Sequence, residues 1–425
     1  MRKAILLLLV SVVLFGLLGC GQAAAGQVLQ SDKPRDTSPA VDEAGLAALV
    51  DGNNAFAFDL YQTLRQEGDN LFYSPYSISE ALAMTYAGAR GETEQDMAAA
   101  LDFTLSQPRL HPAFNSLDLQ LGQRGQGAKG KDGEGFRLHV VNAIWGQKDY
   151  EFLPSFLDVL AQNYGAGLRI LDFINETEQS RLTINQWVSD QTEQRIKDLI
   201  PPGVIDRLTR LVLTNAIYFN AAWQYPFEKN ATSDGAFQLL NGSDVTVPMM
   251  RQTESFRYTA GDGYQAVELP YDGQELSMVI LLPEAGQFET FEASLDWALV
   301  KEAIGDLKAN EVALTMPKFE YESSVGLKDA LSTLGMGVAF TPDADFSGMD
   351  GRRDLLIQDV IHKAFISLDE AGTEAAAATA VVVGVTSAPA EIVELKIDRP
   401  FVYFIRDIPT GSVIFVGRVL NPVGK

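Results

Sequence analysis

The sequence predicts one α+β domain, running from about residue 45 to residue 425. Three observations lead there. Helical and strand patterns interleave along the chain, with helices concentrated early and strands late. No break in composition and no internal repeat divides the body. The chain has 425 residues, of which 46% are hydrophobic and 21% charged, enough to bury a large core.

The elements can be taken in order. Asn54 to Gln66 places Phe56, Leu60 and Leu64 at helical spacing. Glu80 to Ala89 is apolar nearly all round, which predicts a central rather than a surface helix. Leu121 to Gly135 is rich in glycine and charge and reads as a disordered loop. Arg137 to Trp145 alternates as a strand. Pro154 to Tyr164 and Glu178 to Thr192 are helical. Leu211 to Phe219 is apolar without alternation, so it reads as a strand buried on both faces. Strands dominate Thr246 to Pro283 and Glu311 to Tyr321. Phe401 to Arg406 and Ser412 to Val419 form a hairpin around the turn Asp407 to Gly411.

One stretch fits none of these patterns. Glu370 to Glu391 reads EAGTEAAAATAVVVGVTSAPAE. The four alanines favour helix, but the following valines and glycine do not. A flexible linker would carry more Gly, Ser, Pro and charge. A third reading is a segment able to become a buried strand. Thr373, Ala375, Ala377, Thr379, Val381 and Val383 would then share one face, and the charge of Glu374 falls on the other. The pattern alone leaves these readings open.

The N-terminus is expected to lie outside the fold. Arg2 and Lys3 precede the uncharged apolar run Ala4 to Leu18, which is short for a membrane span. Leu17-Leu18-Gly19-Cys20 reads as a bacterial lipoprotein signal, with residues 1–20 as signal peptide and Cys20, the single cysteine, as the lipidated residue. The rival is an ordinary secretory peptide. Residues 21–44 are expected to form a flexible tether. The domain is therefore expected outside the cytoplasmic membrane, held only by the lipid or secreted.

Several function classes find no support. The net charge of −23 argues against nucleic-acid partners. Gly125 to Gly130 matches a dinucleotide glycine pattern, but no strand leads in and no apolar helix leads out. His111, His139 and His362 are scattered without metal-ligand spacing, so no metal and no cofactor is expected. No G-x-S-x-G elbow or other nucleophile–base set is present, so the chain is not expected to be an enzyme.

A family resemblance spans nearly all of the body. Asn70-x-x-x-Ser74-Pro75-x-Ser77-Ile78, Leu211 to Phe219 with Trp223 and Pro226-Phe227, Val247 to Met250, Phe346 to Met349, Asp369 to Ala378, Asp398 to Phe401 and Val413 to Pro422 resemble, in order, the motifs of serpins. The resemblance implies the serpin fold, with three β-sheets, about nine helices and an exposed reactive-centre loop, here about residues 370–395. It implies a suicide inhibitor of proteases. The target cleaves the loop, an acyl-enzyme forms, and the loop inserts as a central strand of the large sheet. The alternative within the family is a non-inhibitory chaperone or binding scaffold.

The resemblance also implies residue roles. Glu370, Gly372, Thr373, Ala375, Ala376, Ala377, Ala378 and Thr379 match the hinge through which the loop enters. Ser74, Ser77, Asn215 and His362 match the polar shutter beneath the sheet, and Trp223 matches the breach. Loop length puts the reactive bond at Thr386-Ser387. These small residues suggest an elastase-like or subtilisin-like serine protease as covalent partner. The region matching the heparin-binding helix, Pro112 to Leu121, has no basic residue, so heparin-type activation is not expected. A monomer is expected.

Overall fold

The computed structural model describes residues 27–65, 68–130, 136–373 and 392–424. Ten α-helices occur among them. They are α1 (Glu43–Leu64), α2 (Pro75–Tyr86), α3 (Gly91–Ala100), α4 (Gln107–Leu121), α5 (Pro154–Tyr164), α6 (Thr177–Gln191), α7 (Phe288–Ser294), α8 (Trp297–Asp306), α9 (Lys328–Leu331) and α10 (Ser347–Asp350).

A seven-stranded sheet spans the molecule. Numbered along the chain, its strands are β1 (Gln27–Leu29), β3 (Arg137–Gln147), β4 (Leu168–Leu171), β5 (Leu211–Ala222), β11 (Phe319–Gly326), β12 (Val360–Asp369) and β13 (Gly372–Thr373). Their spatial order is β1-β4-β3-β5-β13-β12-β11. A second network holds β2 (Leu71–Tyr73), β6 (Ser233–Gln238), β7 (Asp244–Gly261), β8 (Tyr264–Pro270), β9 (Leu276–Pro283), β10 (Lys308–Pro317), β14 (Val393–Lys396), β15 (Phe401–Asp407) and β16 (Val413–Val419). The second and third sheets expected are joined here, because the 18-residue β7 pairs with β6 over Asp244–Met249, with β10 over Met249–Tyr258 and with β8 over Arg257–Gly261.

β5 is buried along all but its last residue, as its unbroken apolar run predicts. Helix α2 is buried on every side and lies beneath the large sheet, in contact with β3 and β5. It begins at Pro75, five residues before the expected start, because Ser74 caps it by accepting from the Ser77 N–H at 3.1 Å. On the sheet's other face, α6 covers a separate cluster that includes Trp145, Val188, Val212 and Ile361.

Two expectations are corrected. Residues 27–42 form a docked arm rather than a free tether. β1 pairs antiparallel with β4 from Gln27↔Ile170 to Leu29↔Leu168. Gly167 lets the strands close up, since a Cβ there would stand 2.7 Å from the Leu29 carbonyl oxygen. Beyond β1, Ser31 and Lys33 both reach Asp158 on α5, and the Asp36 N–H donates to the Gln162 carbonyl. Asp42 then caps α1 by accepting from the Gly45 N–H at 2.7 Å, which starts that helix eleven residues before Asn54. The glycine-rich segment is likewise held over residues 122–130. Arg124 donates to Asp407 at 2.6 Å, and the Gly125 N–H donates to Glu275 at 2.8 Å. The apolar leader, Cys20 and residues 131–135 lie outside the described residues. Among the described residues no helix is long and apolar enough to cross a membrane.

Candidate functional site

The site is the seam between β5 and β12. These strands run parallel and pair directly from Leu213↔Val360 to Ile217↔Ala364. Above that point another strand lies between them. β13 pairs antiparallel with both, with Thr373 opposite Ala221 on one side and Leu368 on the other. Thr373 is 1% exposed, and its hydroxyl shares a hydrogen bond with the Tyr271 hydroxyl at 2.9 Å. Gly372 has φ +150°, and a Cβ there would stand 2.2 Å from the Ala221 carbonyl oxygen. No other residue fits so close to a neighbouring backbone.

The approach to this wedge is built from matched contacts. The indole of Trp223 donates to the Asp369 carbonyl at 3.1 Å and stacks on Tyr271 with centroids 4.6 Å apart. The backbone N–H groups of Trp223 and Phe227 donate to the carbonyls of Ala371 and Glu370. The Glu370 carboxylate is nearly buried and accepts from Lys318 at 2.8 Å and Thr232 at 2.7 Å. Burial pushes its pKa up, but the Lys318 and Thr232 hydrogen bonds outweigh this and hold it below the usual value.

At the other end of the seam four expected residues meet. His362 is completely buried. Its Nε2 accepts from the Ser74 backbone N–H at 3.2 Å, so Nδ1 is the nitrogen that donates to Asn215 Oδ1. Asn215 Nδ2 donates to Ser77 Oγ and to Asn142 Oδ1. Burial pushes the His362 pKa down to about 3, so the imidazole is neutral at pH 7.

Other members of the site escaped sequence reasoning. Asn142 on β3 donates to the Ser77 carbonyl at 3.2 Å and to Glu80 at 2.8 Å, joining α2, β3 and β5. The only signal was a poor strand former inside a strand. Tyr271, Lys318 and Thr232 come from distant parts of the chain and carried no signal. Of the expected hinge, Glu370, Gly372 and Thr373 are seated as above. Ala375 to Ala378, Thr379, Thr386 and Ser387 lie outside the described residues. The loop's far end returns at β14, which pairs parallel with β10. Among the described residues no cluster of three metal-binding side chains occurs. His111, on α4, hydrogen-bonds Tyr164 and lies apart from this seam.

Comparison with known proteins follows this geometry. The family model for serpins, the serine protease inhibitors, matches residues 51–422. An uncharacterized serpin-like protein of Thermococcus kodakarensis is 41% identical over 88% of this chain and 86% of its own length. The leukocyte elastase inhibitor of Sus scrofa is 40% identical over 88% of this chain and 99% of its own. Among solved structures, the thermophilic serpin tengpin in its native state superposes with a TM-score of 0.80 at 28% identity. That match covers 92% of this chain and 97% of tengpin.

Proposed function

The chain belongs to the serpin family, and from that premise we propose that it is a protease inhibitor of the trapping kind. The observation that carries the proposal is the wedge. Gly372 and Thr373, the last described residues before the loop, already lie as a strand between β5 and β12. The chain that follows is small, uncharged after Glu374, and alternates Thr, Ala and Val on one face. Continued insertion along the seam would add about ten ladder hydrogen bonds at roughly 0.5–1.5 kcal/mol each. Buried valines would add to that gain.

The mechanism follows from those parts. A target protease attacks the bond Thr386-Ser387 and is acylated on the Thr386 carbonyl, while the amine of Ser387 leaves. The freed strand then enters between β5 and β12, carrying the acyl-enzyme with it. Insertion must outrun deacylation. We place the target among serine proteases with a small aliphatic primary pocket, elastase-like or subtilisin-like. The leukocyte elastase inhibitors among its relatives support that class. Cys20 is proposed as the lipid attachment point, with the domain outside the cytoplasmic membrane. Mass analysis of the N-terminal peptide tests this.

The function is tested by incubating the domain with elastase, subtilisin, trypsin and papain. A complex with elastase or subtilisin that survives boiling in SDS is expected, with a released peptide beginning at Ser387. Cleavage of the loop with neither a complex nor a rise in melting temperature would sink the trapping reading.

A further inference from the structure

Helix α2 carries one charged residue, Glu80, and it is buried, with 7% exposure. Its Oε2 accepts from Asn142 Nδ2 at 2.8 Å, and its Oε1 lies 3.5 Å from the Tyr76 hydroxyl. Tyr76 also faces Asp118 on α4, at 3.4 Å. Asp118 is held by Arg35 of the N-terminal arm at 2.5 Å, and the same guanidinium donates to Asn115 at 2.8 Å. Thus a charged path runs from the arm to Glu80, and a polar path runs from Glu80 through Asn142 to Asn215 and His362. The other titratable groups facing this site are Tyr164 on α5 and His139 on β3. His139 shares a cavity of about 330 Å³ with Tyr76 and Asp118.

Opening the seam has a definite cost here. On the trapping reading, the pair β3–β5 would slide over α2 while β12, tied to α2 through the Ser74–His362 bond, stays behind. The bond from Ser74 to His362 can persist, because it ties α2 to β12. The bond between His362 and Asn215 must break, and so must those that hold Asn142 to Glu80 and Ser77. Glu80 therefore grips the side of the sheet that moves.

We propose that Glu80 is a positioning residue for strand insertion, holding Asn142 and the β3–β5 half of the sheet on α2, with Arg35 setting its charge through Asp118. This rests on the trapping reading above. Burial and then the negative charge of Asp118 push the Glu80 pKa up to about 8, while Asn142 and Arg35 pull it down. The closed seam thus binds a proton that a hydrated carboxyl with a pKa near 4.5 would release. The closed state is favoured at low pH, and that advantage is lost progressively as pH rises from about 4.5 to about 8, where it levels off. Insertion should quicken over the same range.

The test needs no protease. A synthetic peptide of residues 373–383 is offered to the domain as an added strand, and uptake is timed by native gel and by the rise in melting temperature. Measurements run from pH 7 to 9, above the range in which His362 titrates. Uptake by the parent should accelerate several-fold. Glu80→Gln keeps an acceptor for Asn142 but cannot ionise, so its uptake should be no faster than the parent's at pH 7 and should stay flat up to pH 9. Glu80→Ala loses the acceptor and should take up peptide about five-fold faster at pH 7, the equivalent of one hydrogen bond. Arg35→Gln should move the acceleration to higher pH. A Glu80→Gln profile identical to the parent's overturns the proposal, and this holds even if Glu80→Ala does not fold. A parent that takes up no peptide at any pH overturns the trapping reading instead.

Discussion

The two ends of the seam between β5 and β12 are held in opposite ways. At the upper end the strands are already parted, and the intruder between them is the chain's own Gly372-Thr373. Contacts there are tight and largely to backbone: the Ala221 carbonyl, the Asp369 carbonyl and the stacked rings of Trp223 and Tyr271. At the lower end the strands pair directly, and beneath them lies a buried polar cluster on α2. Buried hydrogen bonds contribute modestly when made and cost much more when one partner is left alone. The upper end is a wedge whose polar contacts already hold the intruding strand in place, and the lower end is a catch whose contacts hold the seam shut. On the proposed function, insertion would begin easily and stall unless the catch yields.

The largest effect should come from spoiling the wedge. Thr373→Arg would place a charge where the hydroxyl is 1% exposed, a cost of several kcal/mol for an unpaired buried ion. SDS-stable complexes should vanish while loop cleavage continues. Persistent complexes would show that entry does not pass through this position. Loosening the catch comes next. His362→Ala would leave the Ser74 N–H and the Asn215 amide without their buried partner, destabilising the closed state by about 2–3 kcal/mol. The melting temperature should fall and peptide uptake should quicken. If uptake slows instead, the two ends are not opposed.

The same residue gives a pH prediction. His362 is neutral in the folded protein, with a pKa near 3 against an ordinary 6.5. The unfolded chain therefore takes up the proton first as pH falls. Stability is intact above pH 6.5 and is lost progressively between 6.5 and about 3. Thermal melts across that range should show the decline, and its slope should shrink in His362→Ala. Smallest is Trp223→Phe, which keeps the ring stack but loses the bond to the Asp369 carbonyl. A loss of about 1 kcal/mol is expected by denaturant titration. A loss above 3 kcal/mol would mean that the upper end too depends on a polar contact.

This contrast was unevenly legible in the sequence. The apolar run of β5 could be read directly, because burial on both faces leaves its mark in a single segment, whereas the run after Gly372 left three readings open and beyond Thr373 lies outside the described residues. Ser74, Ser77, Asn215 and His362 lie far apart in the chain, and only the family resemblance joined them. Asn142 and Glu80 were missed, since each looks like a flaw in its own element until the other stands beside it. The arm was misread for a related reason. Residues 27–42 hold on through backbone pairing and a few charges, so they lack the apolar period that marks an element.

Docking of that arm also changes how the molecule meets its own copies. Without it, β4 would form the margin of the large sheet, with the free N–H and C=O groups of Leu168–Leu171 turned outward. A bare margin of that sort invites a strand from another molecule. β1 covers it and is only three residues long, and the chain then leaves the sheet to anchor on α5 and α4. Little edge remains for a second chain to extend. The large sheet thus ends in the three-residue β1 on one side and the eight-residue β11 on the other, so the arm shortens one of the two margins at which a neighbour could add a strand.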